Sequence, residues 1–260
     1  STILGDCIAR MLEFQGHTVI RQNHIGDWGT QFGMLIAYVR DFYPAALKDP
    51  RSVHLGDLEQ FYKSAKARCD AEPEFEAKAR AEVVKLHTHD AETMAIWQYI
   101  VNESRNHYQP LYERLGVTLH IEHERGESAY ADVLADVVSE MQSKGITMES
   151  DGAICIFPEG FRNKDGEPLP FIIRKCDGAF LYATTDLAAL RYRLKELKAD
   201  RIIYVTDARQ KLHFEMLFAV ARMGGWVKEG VKLDHVMFGS VLGEDGKPFK
   251  TRSGESVKLA

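Results

Sequence analysis

Only four cysteines occur in 260 residues, Cys7, Cys69, Cys155 and Cys176, and no two of them form a Cys-x-x-Cys pair. Such spacing offers neither a zinc knuckle nor the disulfide framework of a secreted domain, and it reads as a reducing, cytoplasmic setting. Long hydrophobic runs are absent too: no window approaches the ~20 apolar residues of a membrane-spanning helix. The first segment carries Asp6, Arg10 and Glu13 among its apolar residues, which does not read as a secretory leader. Acidic residues outnumber basic ones, 38 to 33. A formal net charge of −5 excludes a protein whose whole surface grips nucleic acid by counterion release, although a local basic groove would survive that average. The length allows one large domain or a core domain with insertions. The chain opens at Ser1 directly in a helical pattern and closes on "VKLA", which reads as a piece of something longer.

Apolar periodicity organises what is there. Ile3, Leu4, Cys7, Ile8, Met11 and Leu12 recur at helical spacing, and Gly16 marks the stop. The run Thr18 to Ile20 reads as a strand, "HIGDWGTQFG" (His24 to Gly33) as a glycine-rich turn, and Gln31 to Phe42 as a second helix. From Leu58 to about Leu115 the sequence is charged, alanine-rich and poor in strand formers, the mark of a helical insertion. Between Ile146 and Leu181 the short runs "AICIF", "PFIIR" and "AFLYA" are parted by turn segments, which predicts a small antiparallel unit. Thereafter strand and helix alternate: "AFLYA" and a helix over 187–197, "RIIYVT" and a helix over 210–223, then "HVMFG" and a Gly-Lys-Arg loop. That alternation predicts an α/β fold with a parallel sheet covered on both faces.

In an open parallel sheet, ligands bind beyond the carboxyl ends of the strands. Those ends carry Asn23 and His24, then Tyr182 and Asp186, then Thr206, Asp207 and Gln210, and last Gly239. Asp186 reads first as a carboxylate stabilised by the dipole of the helix it opens. His213 stands three residues after Gln210, on the same helix face. The pairs His87/His89 and His120/His123 have metal-like spacings but no third ligand in a compatible motif, so they read as surface histidines and no metal site is expected. Gly26, Gly29 and Gly33 do not match a dinucleotide fingerprint, and read alone they form a turn. In "GEDGKPFKTRSG", Lys247, Lys250 and Arg252 ride a loop with Gly243, Gly246 and Gly254; mobile cations suit a polyphosphate whose charge grows as pyrophosphate departs, and an exposed basic turn is the other reading.

Four segments, "HIGDWGTQFGMLI", "LYATTDLAAL", "YVTDARQKLHF" and "MFGSVLGEDGKPFKTRSGESVKL", follow one another as they do in bacterial-type arginyl-tRNA synthetases, and the resemblance covers essentially the whole chain. It implies a Rossmann-like parallel sheet, the class I synthetase nucleotide-binding fold, with a helical insertion and a small antiparallel β insertion. Residues 1–45 would begin the catalytic domain, 46–120 form the insertion, 121–178 continue the domain with its antiparallel piece, and 179–260 complete it through a KMSKS-like loop. The tRNA-binding amino-terminal and anticodon-binding carboxy-terminal domains of the family lie outside this sequence. The activity implied is ATP- and Mg²⁺-dependent conversion of L-arginine to arginyl-adenylate and transfer to tRNA(Arg), by a monomer without membrane attachment.

The resemblance also carries residue roles. It places Tyr182, Asp186 and Gln210 on the arginine substrate, with Asp27 facing its amino group and the loop glycines admitting backbone to the activated amino acid. It places His213, Met237, Phe238, Gly239 and Lys247 by ATP. A guanidinium is a planar fork of donors, which suits a carboxylate such as Asp186 and the ring or hydroxyl of Tyr182. Trp28 reads as the packed wall of its turn. Two features depart from the class pattern: the sequence begins just downstream of where a His-x-Gly-His element belongs, and "FKTRSG" replaces the usual Lys-Met-Ser-Lys-Ser, leaving Lys250 or Arg252 for the second lysine's catalytic role. The isolated chain is therefore expected to be inactive; the alternative is a non-catalytic arginine- or nucleotide-binding module derived from the family.

Overall fold

The computed structural model describes residues 1–47 and 58–239. They fall into two compact units: Ser1–Val19 with the residues from Ala129 onward, and the residues between Ile20 and Ser128. No helix among the described residues is long and apolar enough to cross a membrane.

The first unit opens with helix α1 (Thr2–Phe14), where the periodicity predicts it. Its apolar stripe is nevertheless turned outward, with Ile3, Leu4, Met11 and Phe14 exposed, while Asp6 and Ala9 are buried. Gly5 is the point of approach to Val205, whose Cγ2 lies 3.9 Å from where a Cβ would stand. Helix α6 (Leu134–Ser143) leads into a three-stranded antiparallel sheet, β1 (Met148–Ser150), β2 (Ala153–Ile156) and β3 (Phe171–Arg174). The expected antiparallel unit is therefore present. Its inward residues, Ile154, Ile156, Phe171 and Ile173, join Val137, Met141, Leu187, Leu190, Leu217 and Val220 in one apolar core.

The run "AFLYA" is not the third strand of that unit. Ala179 closes a turn, its N–H donating to Asp177 Oδ1 (2.9 Å) and its carbonyl accepting from Lys175 N–H (2.9 Å). Helix α7 (Tyr182–Lys195) then starts at the tyrosine, five residues ahead of the predicted helix. A short apolar run fits strand and helix equally, and capping decides here: the Thr184 hydroxyl accepts from Leu181 N–H (3.3 Å) and donates to the Ile173 carbonyl on β3 (2.7 Å). Strand β4 (Arg201–Asp207), helix α8 (Lys211–Met223) and strand β5 (Lys232–Phe238) follow. The two strands run parallel, in register from Arg201 opposite Lys232 to Asp207 opposite Phe238. The parallel sheet thus consists of two strands among the described residues, fewer than the alternation predicts, because "AFLYA" is consumed by α7 and residues 17–22 form no strand.

The second unit is helical: α2 (Thr30–Phe42), which periodicity predicts and which was expected at the start of the catalytic domain, shares it with α3 (Leu58–Ala71), α4 (Pro73–His87) and α5 (Ala91–Arg114), in the stretch whose composition predicts helices. Helices α2 and α4 touch at Gly33, where a Cβ would stand 2.5 Å from the Ala79 carbonyl oxygen. A glycine that resembled part of a phosphate loop therefore serves helix packing. Gly29 precedes α2 with φ at 80°, a turn geometry that side-chain-bearing residues rarely adopt. In the last turn of α2, Arg40 Nε lies 3.0 Å from Glu82 Oε1, and the other oxygen of Glu82 accepts from Thr93 Oγ1 at 3.0 Å, so a buried carboxylate is paired as burial requires.

Candidate functional site

The carboxyl ends of β4 and β5 lie side by side, Thr206 opposite Met237 and Asp207 opposite Phe238. Met237 and Gly239 are exposed there, and Phe238 is half-buried. Asp207 caps the single turn Ala208–Gln210, accepting from Arg209 N–H at 2.8 Å, and Gln210 stands exposed at the amino end of α8. On the strands themselves Thr206 Oγ1 is 2.7 Å from His235 Nε2, and the His235 ring lies 4.6 Å from that of Phe214. Burial draws the His235 pKa below the ordinary histidine value.

One turn into α8, the same rim gathers three side chains. Tyr182 and Asp186 stand four residues apart on α7 and so share a face. His213 on α8 reaches across, its Nε2 2.7 Å from Asp186 Oδ2, and its ring lies 5.1 Å from that of Tyr182. Both members of the carboxylate–imidazole pair are largely shielded, at 17% and 14% side-chain exposure, while Tyr182 is 64% exposed. A shielded carboxylate beside an accessible phenol suits a planar, cationic donor. Asp186 lies on the second turn of α7, so dipole stabilisation of a first-turn acid does not explain it; α7 has no acidic residue in its first turn.

Behind Asp186 lies a buried cation. Arg193, two turns further along α7, donates from Nη1 to Tyr204 Oη at 2.8 Å and stacks 5.1 Å from that ring's centre. Burial by itself would pull its pKa down, but Tyr204, Tyr130 and the charge of Asp186 hold it above the ordinary value. Burial likewise pushes the Tyr204 phenol up, against the pull of Arg193. Two contributors escaped the sequence reading. The sequence does not single out Arg193, nor Phe171, which stacks on His213 with ring centres 5.9 Å apart and planes at 21°. Phe, Ile and Ile in "PFIIR" are all apolar, so the sequence does not mark a face; the pleat of β3 turns Phe171 and Ile173 inward.

Asp27 belongs to the other unit, where Ser128 takes up its carboxylate. Oδ1 accepts from Ser128 N–H at 2.8 Å and Oδ2 from Ser128 Oγ at 2.6 Å, at a buried position. Its carbonyl accepts from Trp97 Nε1 at 2.6 Å. Trp28 is the packed wall the sequence suggested, buried edge-on to the rings of Trp97 and His87, each with its centre 5.7 Å away. The extended pairing expected of Thr18 to Ile20 occurs a few residues later instead, where Asn23 bridges Glu124 in parallel and Arg125 N–H donates to the Asn23 carbonyl at 3.0 Å. Glu124 is fixed in turn by Arg105, whose Nη2 is 2.7 Å from Oε2, and by Tyr108. His87, His89 and His120 are exposed, and His123 is half-buried with its Nδ1 accepting from His120 N–H at 3.0 Å. Lys247, Lys250 and Arg252 lie outside the described residues.

The profile of the family described as "tRNA synthetases class I (R), catalytic domain" matches residues 1–260. An arginine–tRNA ligase of Nostoc punctiforme is 53% identical over 259 residues, covering the whole of this chain and 44% of that protein. One from Thermosynechococcus vestitus is 54% identical over the same span and the same 44% of its length. Among solved structures, the arginyl-tRNA synthetase of Plasmodium falciparum superposes with a TM-score of 0.80 at 34% identity, over 93% of this chain and 40% of that one. The chain thus spans less than half the length of the curated relatives it matches.

Proposed function

We propose, from the premise that this chain belongs to the catalytic-domain family of class I arginyl-tRNA synthetases, that it forms the catalytic segment of an arginine–tRNA ligase. The observation that carries the reading is the match along the whole chain, at 53% identity, to proteins named for that activity. In this reading β4, α8 and β5 are one strand–helix–strand unit of a Rossmann-like sheet, and the ligand sits beyond the strand ends, as in other open parallel sheets.

L-arginine would enter with its guanidinium toward Asp186, which accepts from the planar fork, while Tyr182 offers a ring face or hydroxyl and Gln210 a further polar contact. The adenosine of ATP falls to Met237, Phe238 and Gly239. An arginine carboxylate oxygen attacks the α-phosphorus of ATP, the bond to pyrophosphate breaks, and the arginyl group then passes to the terminal adenosine of tRNA(Arg). Lys247, Lys250 and Arg252 supply cations for the departing charge. Asp27, held by Ser128, serves by fixing the loop from His24 to Gly33. Mg²⁺ would enter with ATP, as part of the substrate.

The test is D186A in a full-length arginine–tRNA ligase carrying this sequence. Loss of a charge-assisted acceptor for the guanidinium is expected to raise the arginine KM by about 10–100-fold. Wild-type arginine KM and charging rate in that variant would overturn the assignment.

A further inference from the structure

The family resemblance expects His213 beside adenosine. Its geometry points to a different task, and we propose that His213 is a positioning residue for arginine recognition, holding the Asp186 carboxylate in the orientation that the guanidinium reads. This rests on the arginine reading of Asp186 given above.

The hydrogen bond from His213 Nε2 to Asp186 Oδ2 is 2.7 Å long. An ionised carboxylate only accepts, so the hydrogen of that bond is on Nε2 and the imidazole is the donor. The ring is held on several sides. Phe171 of β3 stacks on it at 5.9 Å and 21°, Phe214 meets it edge-on at 5.3 Å, and Tyr182 lies 5.1 Å away. Rotating the imidazole out of line would therefore disturb three aromatic neighbours from three elements. Asp186 also feels the charge of the buried Arg193, and the hydrogen bond from His213 adds a directional restraint on its carboxylate. The terminal torsion of an aspartate is broad, and nothing in a helix backbone sets the plane of its carboxylate. Recognition of a guanidinium by parallel hydrogen bonds needs that plane fixed to within tens of degrees. A donor anchored by Phe171, Phe214 and Tyr182 supplies the restraint. The position of the donor also has a consequence for chemistry: His213 acts on arginine through Asp186, so its removal should affect arginine and leave ATP alone, whereas a residue lining the adenosine pocket would do the reverse.

The experiment compares H213L, which fills the space without a donor, with H213Q, whose amide Nε2 retains one, in a full-length ligase carrying this sequence, with D186A alongside and melting temperature followed throughout. H213L is expected to raise the arginine KM about tenfold with the ATP KM within twofold of wild type, and H213Q to recover most of the loss. An ATP KM raised as much as the arginine KM, an unchanged arginine KM in H213L, or equal impairment of both variants would overturn the proposal. If H213L fails to fold, H213Q decides: an arginine KM near wild type supports it, and a tenfold rise in a folded protein overturns it. An unchanged arginine KM in D186A would remove the arginine reading itself, which is a separate failure.

Discussion

Asp27 and Ser128, 101 positions apart, are joined twice, by the serine N–H to Oδ1 at 2.8 Å and by the serine hydroxyl to Oδ2 at 2.6 Å. The backbone between them leaves no room to spare, since a Cβ on Gly126 would stand 2.4 Å from Asp27 Oδ1. One carboxylate therefore closes a loop of a hundred residues.

This clasp predicts that S128A and D27A each destabilise the second unit by about 1–3 kcal/mol, and that the double variant costs much less than the sum of the two. G126A, which forces its methyl group against the carboxylate, is expected to be at least as damaging as S128A. Urea unfolding of the four variants measures this, and strict additivity of D27A and S128A would exclude the coupling.

Glu140 predicts a pH dependence. It accepts from Arg191 Nε at 2.8 Å, Lys195 Nζ at 2.7 Å and Trp226 Nε1 at 2.6 Å. Burial pushes its pKa up, but Lys195, Trp226 and Arg191 outweigh burial and leave it below the ordinary glutamate value. A carboxylate depressed in the folded state stabilises the protein above its unfolded pKa, and that stabilisation is lost as pH falls through the folded one. E140Q should therefore melt lower than wild type at pH 7, and the gap should narrow below about pH 4. A gap that stays constant across an acid titration of melting temperature would contradict the assignment.

The buried pair of Arg193 and Tyr204 makes the third prediction. Y204F keeps the ring under the guanidinium and removes the acceptor, so about 1–3 kcal/mol should be lost through a buried donor left unmet. R193M, which removes the charge and keeps most of the volume, should cost less than R193A. Calorimetric melting of the three variants orders them; R193A as stable as R193M would show that the stem of Arg193 contributes no packing.

The isolated 260-residue chain is expected not to charge tRNA(Arg) with arginine even when ATP and tRNA are supplied. Charging above a no-enzyme control would show that these residues are catalytically sufficient.

Helices were legible wherever apolar spacing ran for three turns or more, as in α1, α2 and the insertion helices, because burial of a stripe leaves a period of 3.6 in the sequence. Which side of α1 is buried was not legible: its apolar residues are turned outward and Asp6 inward, a matter of what stands beside the helix. Strand assignments failed where runs were short. Thr18 to Ile20 and "AFLYA" both have strand-like residues, yet the first finds no partner strand among the described residues, and the second is captured by a Thr184 cap that depends on β3.

The candidate site was legible as a set of residues and not as a set of bonds. Tyr182, Asp186 and His213 could be named from strand ends and helix faces, and they do meet. Their hydrogen bond spans 27 positions and the clasp on Asp27 spans 101. No local pattern encodes such separations, so a serine like Ser128 carries no mark of its task.

Thr184 has a reach beyond capping. Its hydroxyl touches the Ile173 carbonyl on one side and the Leu181 N–H on the other, so β3 and the first turn of α7 share a single anchor. A slip of β3 by one residue would carry that anchor roughly 3.3 Å, far more than the roughly 0.5 Å within which a binding constellation keeps its geometry. The little antiparallel sheet, which lends the rim the ring of Phe171, thus acts as its spacer gauge: strand register upstream sets where α7 begins and so where Tyr182 and Asp186 stand.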